Sequence, residues 1–372
     1  MLALLLTLIT VLRPEPTTPE QVIAWRHGDC EPPPVEVHET PASVRHKVVA
    51  REKLSQVAAR YGVKRDDIVR WNKMRSRRVR LRSGRVIKVQ TKRVPLPQFR
   101  VPYTVQEGDD WTSIAIANQI DARHLRNTNW GRKLKPGTEL DLWIDPSRVR
   151  RVGCNRREVP ALKDLVAQHG LTDAQLDAAQ GRGAPTYGRI KNAIQLPESD
   201  LYTRREQPRL LWASGHTIRQ IFKAFAQLRY ADGFDGRVII GSISLRRGRR
   251  FPPHRSHQSG RDIDIRLPLL AGLPDTAYPN PEEVDWLATW ALIKAFIDTG
   301  EVSMIFFDGK LQRRVYQAAR WHGYTPEELA DLIHWPSRSG KRTAIVRHSK
   351  GHTGHIHVRL KCGPNESRCR GT

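Results

Sequence analysis

Two short segments near the C-terminus carry the residue types that bind transition metals. The first segment reads His254-Arg-Ser-His257-Gln-Ser-Gly-Arg-Asp262-Ile-Asp264, and the second reads His352-Thr-Gly-His355-Ile-His357. Imidazole nitrogens and carboxylate oxygens that leave one coordination position open for water are the ligands of a catalytic zinc ion. The two segments together therefore indicate a metal-dependent hydrolase.

The elements that must position these side chains are strands. Alternate side chains of an extended strand share a face, so His355 and His357 point the same way, and so do Asp262 and Asp264. Two such strands lying side by side bring two imidazoles and a carboxylate to one point. Gly260 allows the chain to turn sharply before the strand that carries the aspartates.

The chain around both segments predicts an α+β domain with an antiparallel sheet over residues 208–372. Apolar residues at helical spacing predict helices over His216–Tyr230, Val284–Phe296 and Leu311–His322. Short apolar or alternating runs predict strands over Arg237–Leu245, Val302–Phe307, Ala344–Val346 and His355–Leu360. No Ser-His-Asp or Cys-His nucleophile arrangement, P-loop or dinucleotide fingerprint is evident in the sequence.

The order of the metal-binding residue types carries a family resemblance. A histidine, six intervening residues, an aspartate and a distant His-x-His resemble the zinc peptidases grouped around lysostaphin, D-Ala-D-Ala carboxypeptidases and hedgehog. More narrowly, the segments Ser256–Asp264 and His355–Cys362 look like those of penicillin-insensitive murein endopeptidase. The resemblance extends over residues 208–369.

This resemblance implies a ligand set and a catalytic residue. His257, Asp264 and His357 would bind one Zn²⁺ and leave a position for water. His355 would act as the general base, or would stabilise the oxyanion as the water attacks. A histidine with an ordinary pKa of about 6.5 can take up a proton at neutral pH.

Three further residues of the two segments receive supporting roles. His254 and His352 match family histidines that line the cleft, where they would support the ligands or contact substrate. Asp262 would orient a ligand or pair with nearby arginines.

A repeat precedes this domain. Two segments align, over residues 46–92 and 101–148. Their landmarks share spacings of fourteen and eighteen residues: Leu54, Ile68 and Asn72 in the first copy, Trp111, Leu125 and Asn129 in the second. Each copy is predicted to be strand, helix, helix, strand. The pattern resembles the LysM module, which implies binding to N-acetylglucosamine polymers, chiefly peptidoglycan. As a rule, the endopeptidase family lacks these modules.

Residues 155–200 suggest a third, degenerate copy or a linker. Leu162 and Leu176 repeat the fourteen-residue spacing, and Ile190–Leu196 is the expected closing strand. However, Gln180 stands where the other copies have asparagine. The segment is therefore predicted to be a LysM-like spacer.

The first 45 residues indicate export. The only long apolar run, Met1–Leu12, has the length of a signal-peptide core, whereas about 18–20 apolar residues are needed to cross a bilayer. It lacks preceding basic residues and a clear cleavage site, as a remnant of a signal peptide would. The proline-rich stretch that follows is predicted to be an extended linker.

The four cysteines are compatible with an exported protein. Cys362 and Cys369 flank a turn sequence, so closure of that local loop is expected first. A Cys30–Cys154 bridge then follows only by elimination. No CxxC pair is present, which argues against a cysteine-based zinc or redox motif.

The charge indicates an anionic partner. The chain has 63 Lys and Arg against 38 Asp and Glu, a formal charge of +25. The segment from Arg45 to Arg100 alone holds 19 basic and three acidic residues. Aromatic residues for base stacking are sparse there and no nucleic-acid motif is visible, so nucleic acid is a weaker candidate than peptidoglycan, which carries free carboxylates.

These observations predict a periplasmic or secreted, wall-associated zinc endopeptidase that cuts the D-alanyl–meso-diaminopimelate cross-link of peptidoglycan, with no transmembrane span. Three alternatives remain open. One is a D,D- or L,D-carboxypeptidase that uses the same metal site. Another is a non-catalytic wall-binding protein with a relic site, from which zinc would not co-purify. The third is a nucleic-acid-binding protein, suggested by charge alone.

Overall fold

The chain is described here from a computed structural model. The described residues are 36–49, 52–145, 155–270, 273, 275–281, 283–336 and 343–371. The apolar N-terminus and the suggested Cys30–Cys154 pair lie outside them. None of the helices within these ranges combines the length and the apolar character needed to cross a membrane.

The first repeat folds as strand, helix, helix, strand. Its elements are β1 (Glu36–Lys47), α1 (Leu54–Tyr61), α2 (Arg65–Trp71) and β2 (Val86–Val94), and the two strands pair antiparallel. Strand β1 begins inside the stretch predicted to be a linker. Leu54, Val57 and Ile68 are buried against the sheet, as their helical spacing requires.

The second repeat has the same architecture. Its elements are β3 (Phe99–Thr104), α3 (Trp111–Ala117), α4 (Ala122–Thr128) and β4 (Glu139–Ile144). The landmark asparagines make equivalent hydrogen bonds in both copies. Asn72 exchanges two hydrogen bonds with the backbone of Lys88, and Asn129 exchanges two with the backbone of Asp141. An amide side chain can donate and accept at once, so it ties the second helix to the closing strand.

Residues 155–200 form a different structure from the suggested LysM-like segment. They contain α5 (Leu162–Gln168), α6 (Asp173–Ala178), the hairpin β5 (Gln180–Ala184) and β6 (Tyr187–Lys191), and the short strand β7 (Ile194–Gln195). The last of these pairs with β9 (Trp212–Ala213) of the following domain. Leu165, Val166 and Leu176 are buried in that domain's core. Helical spacing recurs here because the helices need an apolar face, whatever they pack against.

The C-terminal domain is built on a six-stranded sheet. Its elements include β8 (Thr203–Arg204), α7 (Gly215–Ala226), β10 (Ile239–Ser242), β11 (Asp262–Arg266), α8 (Trp286–Ile297), β12 (Val302–Phe307), α9 (Gly309–Trp321), α10 (Pro326–Leu332), β13 (Val346–His348) and β14 (His355–Leu360). The strand order is β13-β12-β14-β11-β10-β8. The four central strands are antiparallel and the two edge pairs are parallel. The α+β class is confirmed.

Two strands are placed differently from the sequence prediction. Strand β10 is shorter than Arg237–Leu245 because the next two residues turn away, donating from Ile243 N and Ser244 N to the carbonyl of Leu210. The structure has strand β13 at Val346–His348, so it begins at the last residue of the predicted strand Ala344–Val346.

One face of the sheet is apolar and the other is polar. Ile263, Ile265, Ile356 and Val358 point to one face and are buried with the apolar sides of α7, α8 and α9. The intervening side chains of β11 and β14 therefore point to the other face. That face carries the aspartates and histidines singled out in the sequence.

The second repeat is docked on the C-terminal domain. Ile116 of α3 is buried in the same apolar core as helices α8 and α9. Beside it, Asp110 accepts hydrogen bonds from Arg313, at 2.5 Å, and from Gln317. The first repeat contacts the second in turn, through a Gln56–Asp121 hydrogen bond. The repeats are thus packed against the domain.

Replacing Asp110 by Ala is expected to lower the free energy of unfolding by about 1 kcal/mol, because Asp110 also caps helix α3 through Thr112 N and Ser113 N. Arg313→Ala removes only a half-exposed ion pair and should lower it by about 0.5 kcal/mol or less. Denaturant titration of both variants measures the difference. Equal losses would contradict the assignment of the main effect to the cap.

Candidate metal centre

The register of two strands brings the two sequence segments together. Strands β11 and β14 pair antiparallel, with Asp264 opposite His357 and Arg266 opposite His355. Asp262 is one pair further along, opposite Arg359. All of these side chains share the polar face of the sheet. The convergence expected from the alternation in sequence is therefore realised by one strand pair.

His257 reaches the same point from the loop that precedes β11. Its backbone N–H donates to Asp262 Oδ2 at 2.9 Å, and its Nδ1 donates to the carbonyl of Ile243 at 2.8 Å. With the proton on Nδ1, the lone pair of Nε2 is free to bind a cation. The residue is completely buried and has a φ of +63°, a strained value for a histidine that the surrounding bonds must enforce.

Gly260 makes this loop sterically possible. Its φ is +72°, and a Cβ there would lie 2.7 Å from Ile190 Cδ1 and 3.0 Å from Ser214 N. A side chain would meet both strain and crowding at this position. The turn attributed to Gly260 from the sequence is observed between His257 and β11.

Asp264 is the hub of the cluster. Its Oδ1 lies 3.2 Å from His257 Nε2, 3.5 Å from His357 Nδ1 and 3.7 Å from His355 Nε2. Its Oδ2 lies 3.7 Å from His254 Nδ1. Ligand atoms on a tetrahedral zinc ion with bonds of about 2.0–2.1 Å lie about 3.3 Å apart. The two shortest separations match that spacing.

The donor atoms also fit a metal by their chemistry. His257 Nε2 and Asp264 Oδ1 are buried, and within the described residues neither has a hydrogen-bond partner. Two acceptors that face each other at 3.2 Å away from water are unfavourable unless a cation lies between them. Although burial opposes it, the Asp264 carboxylate raises the pKa of His257.

Two histidines compete for the third ligand position. Donor atoms of His254, His257 and Asp264 all lie within 4.8 Å of one another, so His254 is within reach of a shared ion. His357, however, is almost fully buried and donates from Nε2 to Asp262 Oδ1 at 3.0 Å. A ligating histidine usually holds a carboxylate with its other nitrogen. This favours His257, Asp264 and His357 as ligands, with His254 beside them.

Comparison with known proteins agrees with this organisation. The LysM domain model matches residues 46–90 and 103–143. A penicillin-insensitive murein endopeptidase of Klebsiella pneumoniae (strain 342) is 27% identical over 52% of this chain and 70% of its own length. The Yersinia pestis (bv. Antiqua) protein of the same name is 25% identical over 54% of this chain and 72% of its own, and that of Yersinia enterocolitica is 29% identical over 36% and 48%.

The chain carries two LysM domains and is related to the penicillin-insensitive murein endopeptidases. Both resemblances seen in the sequence are confirmed. Two solved structures, a receptor-like kinase ectodomain and the spore cortex-lytic enzyme SleL of Bacillus cereus, give TM-scores of only 0.14 and 0.13, with 15% and 17% identity. They cover 37% and 40% of this chain, and 81% and 34% of their own.

Asp262 contacts both a histidine of the cluster and an arginine. One of its oxygens accepts from His357 and, at 2.7 Å, from Arg359 Nε, while the other accepts from the His257 backbone. Although burial opposes it, His357 and Arg359 hold the pKa of this carboxyl well below its usual range. The charged carboxylate therefore fixes the ring of His357 so that Nδ1 faces Asp264.

Asp262→Asn is expected to weaken zinc binding about 10- to 100-fold, because an amide no longer holds His357 and Arg359 by charge. Titration against a chromogenic zinc chelator measures the affinity. The Asp200→Asn variant, which changes an exposed aspartate outside the cluster, is the matched control. Unchanged affinity in Asp262→Asn would contradict the orienting role.

His355 and His352 lie towards the open side of the cluster. His355 is 31% exposed at its side chain, and burial lowers its pKa to about 4. The ring of His352 lies 4.9 Å from that of His355 and 5.6 Å from that of His357. Burial, together with His357, lowers the pKa of His352 as well. At neutral pH both imidazoles are uncharged, so each is able to accept a proton.

Sequence reasoning missed two residues that support the site. Phe306 of β12 is opposite His357 in register, with its ring edge-on at 4.9 Å. The guanidinium of Arg359 lies 4.9 Å from the centre of the Phe306 ring. Arg359 continues the alternation of His355 and His357, so the strand period contained its signal. The position of Phe306 depends on strand pairing, so the sequence contains no local signal for it.

The local disulfide expected at the C-terminus is present, between Cys362 and Cys369. The loop it closes contains Glu366, which is buried and accepts hydrogen bonds from Gly181 N and Gly363 N. The bridge therefore holds the chain end against the β5–β6 hairpin.

Proposed function

We propose that this protein is a zinc-dependent peptidoglycan endopeptidase that hydrolyses the D-alanyl–meso-diaminopimelate cross-link while its LysM domains hold it on glycan. The observation that carries the proposal is that Asp264 Oδ1 lies 3.2 Å from His257 Nε2 and 3.5 Å from His357 Nδ1, close to the separation of ligand atoms on zinc. The names of the related endopeptidases support the choice of substrate.

His257, Asp264 and His357 would hold the zinc ion, and a catalytic zinc with three protein ligands would take water or substrate as the fourth. When bound there, zinc lowers the pKa of its water towards about 7 and polarises the scissile carbonyl. Asp264 is held ionised: although burial opposes it, His257, His357 and His355 lower the pKa of its carboxyl. The site thus keeps one negatively charged ligand.

His355 is placed to move the proton. Its Nε2 lies 3.7 Å from Asp264 Oδ1, and the ring is neutral at pH 7 because its pKa is lowered to about 4. It can accept a proton from the attacking water and return it to the leaving amine. Once protonated, the same ring would stabilise the oxyanion, so both roles implied by the family resemblance belong to one residue at different moments.

His254 and His352 each lie beside one of the other histidines of the cluster. His254 packs its ring against those of Phe251 and His257, at 4.8 and 4.6 Å between centres, and His352 lies beside His355. Both are partly exposed. In this proposal they line the cleft and contact the peptide.

The LysM domains raise the effective concentration of the site at its substrate. Because Ile116 packs into the core of the C-terminal domain, the second LysM domain holds a set position relative to the metal centre. This arrangement suits an enzyme that works on an immobile polymer in the periplasm or outside the cell.

Digestion of purified sacculi tests the proposal. The full-length protein with zinc should convert cross-linked dimers to monomeric tetrapeptides, as seen by mass spectrometry, and a chelator should stop the reaction until zinc is restored. His322→Ala, an exposed histidine outside the cluster, is the matched control and should cut normally. Intact dimers would overturn the assignment. Shortened stems with cross-links retained would identify a carboxypeptidase instead.

A further inference from the structure

A groove of about 1280 Å³ opens beside the metal centre. Its walls are the β5–β6 hairpin, the loop of residues 249–258 and the C-terminal segment 368–370. His254 lines the groove and also lies 3.7 Å from Asp264, so the groove borders the metal centre at this residue.

The groove is lined by unpaired positive charge. Its seven arginines are Arg182 and Arg189 on the hairpin, Arg249, Arg250 and Arg255 on the loop, and Arg368 and Arg370 at the chain end. No acidic residue is among the lining residues. Within the described part of the chain, none of the seven forms an ion pair, whereas Arg204, Arg219 and Arg359 elsewhere in the domain do.

This crowding is maintained by a fixed backbone. Gly183 N donates to the carbonyl of Arg368 at 2.8 Å, and Arg370 N donates to the carbonyl of Gly183. On the other wall, Arg249 N donates to the carbonyl of Gly188. The Cys362–Cys369 bridge secures the chain end. Like charges held together without partners repel, and a bound anion removes that repulsion.

Two kinds of anion are candidates. A nucleic acid would find few stacking partners, because Tyr187 at the rim is the one aromatic side chain, apart from the His254 ring, among the lining residues. Carboxylates, by contrast, match guanidinium groups by two-point hydrogen bonding. A groove that ends at a peptidase centre would receive the peptide whose bond lies at that centre.

We propose that the arginine groove binds the free carboxylates of the peptidoglycan stem peptide and so sets the enzyme's preference for acidic peptides. This inference rests on the proposed function. Arg249 and Arg250 lie on the loop that also carries His254, so they belong to the groove wall that contacts the metal centre.

The test is binding of a monomeric tetrapeptide muropeptide, which has no cross-link to cut, to the full-length zinc-loaded protein by calorimetry. The Arg249→Gln/Arg250→Gln variant should bind it about tenfold more weakly, as expected for the loss of charge-assisted hydrogen bonds. The same muropeptide with its carboxylates amidated should bind weakly to both proteins. Lys223→Gln/Arg320→Gln, which removes two exposed charges from helices on the opposite face of the sheet, is the matched control and should bind like the wild type.

Equal binding of the acidic and amidated muropeptides, or equal losses in the groove and control variants, would overturn the proposal. Tighter binding of a single-stranded oligonucleotide through the same two arginines would assign the groove to nucleic acid and overturn it as well. Sacculus digestion with the same preparations separates the two proposals. Arginine-dependent muropeptide binding without cleavage would refute only the endopeptidase function, and cleavage without arginine-dependent binding would refute only the groove.

Discussion

Replacing His257 by Asn is expected to abolish zinc retention and to reduce cross-link cleavage by more than about 100-fold. This loss is larger than that expected for a residue that only orients a ligand. Two features make this the largest effect. His257 is completely buried, so water cannot easily replace its nitrogen, and its Nδ1 is already committed to the carbonyl of Ile243. Asparagine tolerates the positive φ at this position, so the backbone of the variant can keep the same conformation.

Metal analysis of the purified variant, together with sacculus digestion, measures both effects. Circular dichroism and the melting temperature show whether the domain still folds. Asp264→Asn is the second variant and should give the same two losses, because it removes the negative charge of the proposed carboxylate ligand. Full zinc content in both folded variants would contradict the ligand assignment.

Replacing His355 by Ala is expected to reduce kcat by about 10²- to 10⁴-fold, the usual contribution of a general acid–base residue, while zinc content stays at the wild-type level. His355 is the partly exposed member of the cluster, and its Nε2 is farther from Asp264 Oδ1 than the nitrogens of His257 and His357. Loss of activity with retained metal distinguishes proton transfer from metal binding.

Steady-state kinetics on a soluble cross-linked muropeptide, with zinc analysis of the same sample, measures this separation. His322→Ala is again the control. If His355→Ala loses its zinc, His355 is a ligand, and the choice of His357 must be revised. If kcat is unchanged, another group handles the proton.

The shared faces of the cluster residues could be predicted because the signal is local. The alternation of Asp262 with Asp264 and of His355 with His357 is a property of a single strand, and any strand that contains it presents both side chains on one face. The landmark Asn72 and Asn129 were visible for the same reason. Each performs its hydrogen bonding within one small repeat.

The orientation of His357 could not be predicted from the sequence. Asp262 was recognised as a residue that orients a ligand or pairs with arginine, but its simultaneous contact with His357 and Arg359 depends on the register of β11 against β14. A shift of one residue would turn every side chain to the other face. Register is set by the packing of the apolar face, which a single strand does not contain.

The sequence by itself was enough to predict the fold class and the LysM domains of this protein, and to propose which residues bind metal. Only the tertiary structure decided how the parts are joined. Residues 155–200 look like a third repeat in sequence, yet their apolar side chains lie in the C-terminal core. The groove arginines come from three distant segments. Local sequence patterns reveal the spacing of helices and strands. Burial and the clustering of charges depend instead on contacts between segments that are far apart in the chain.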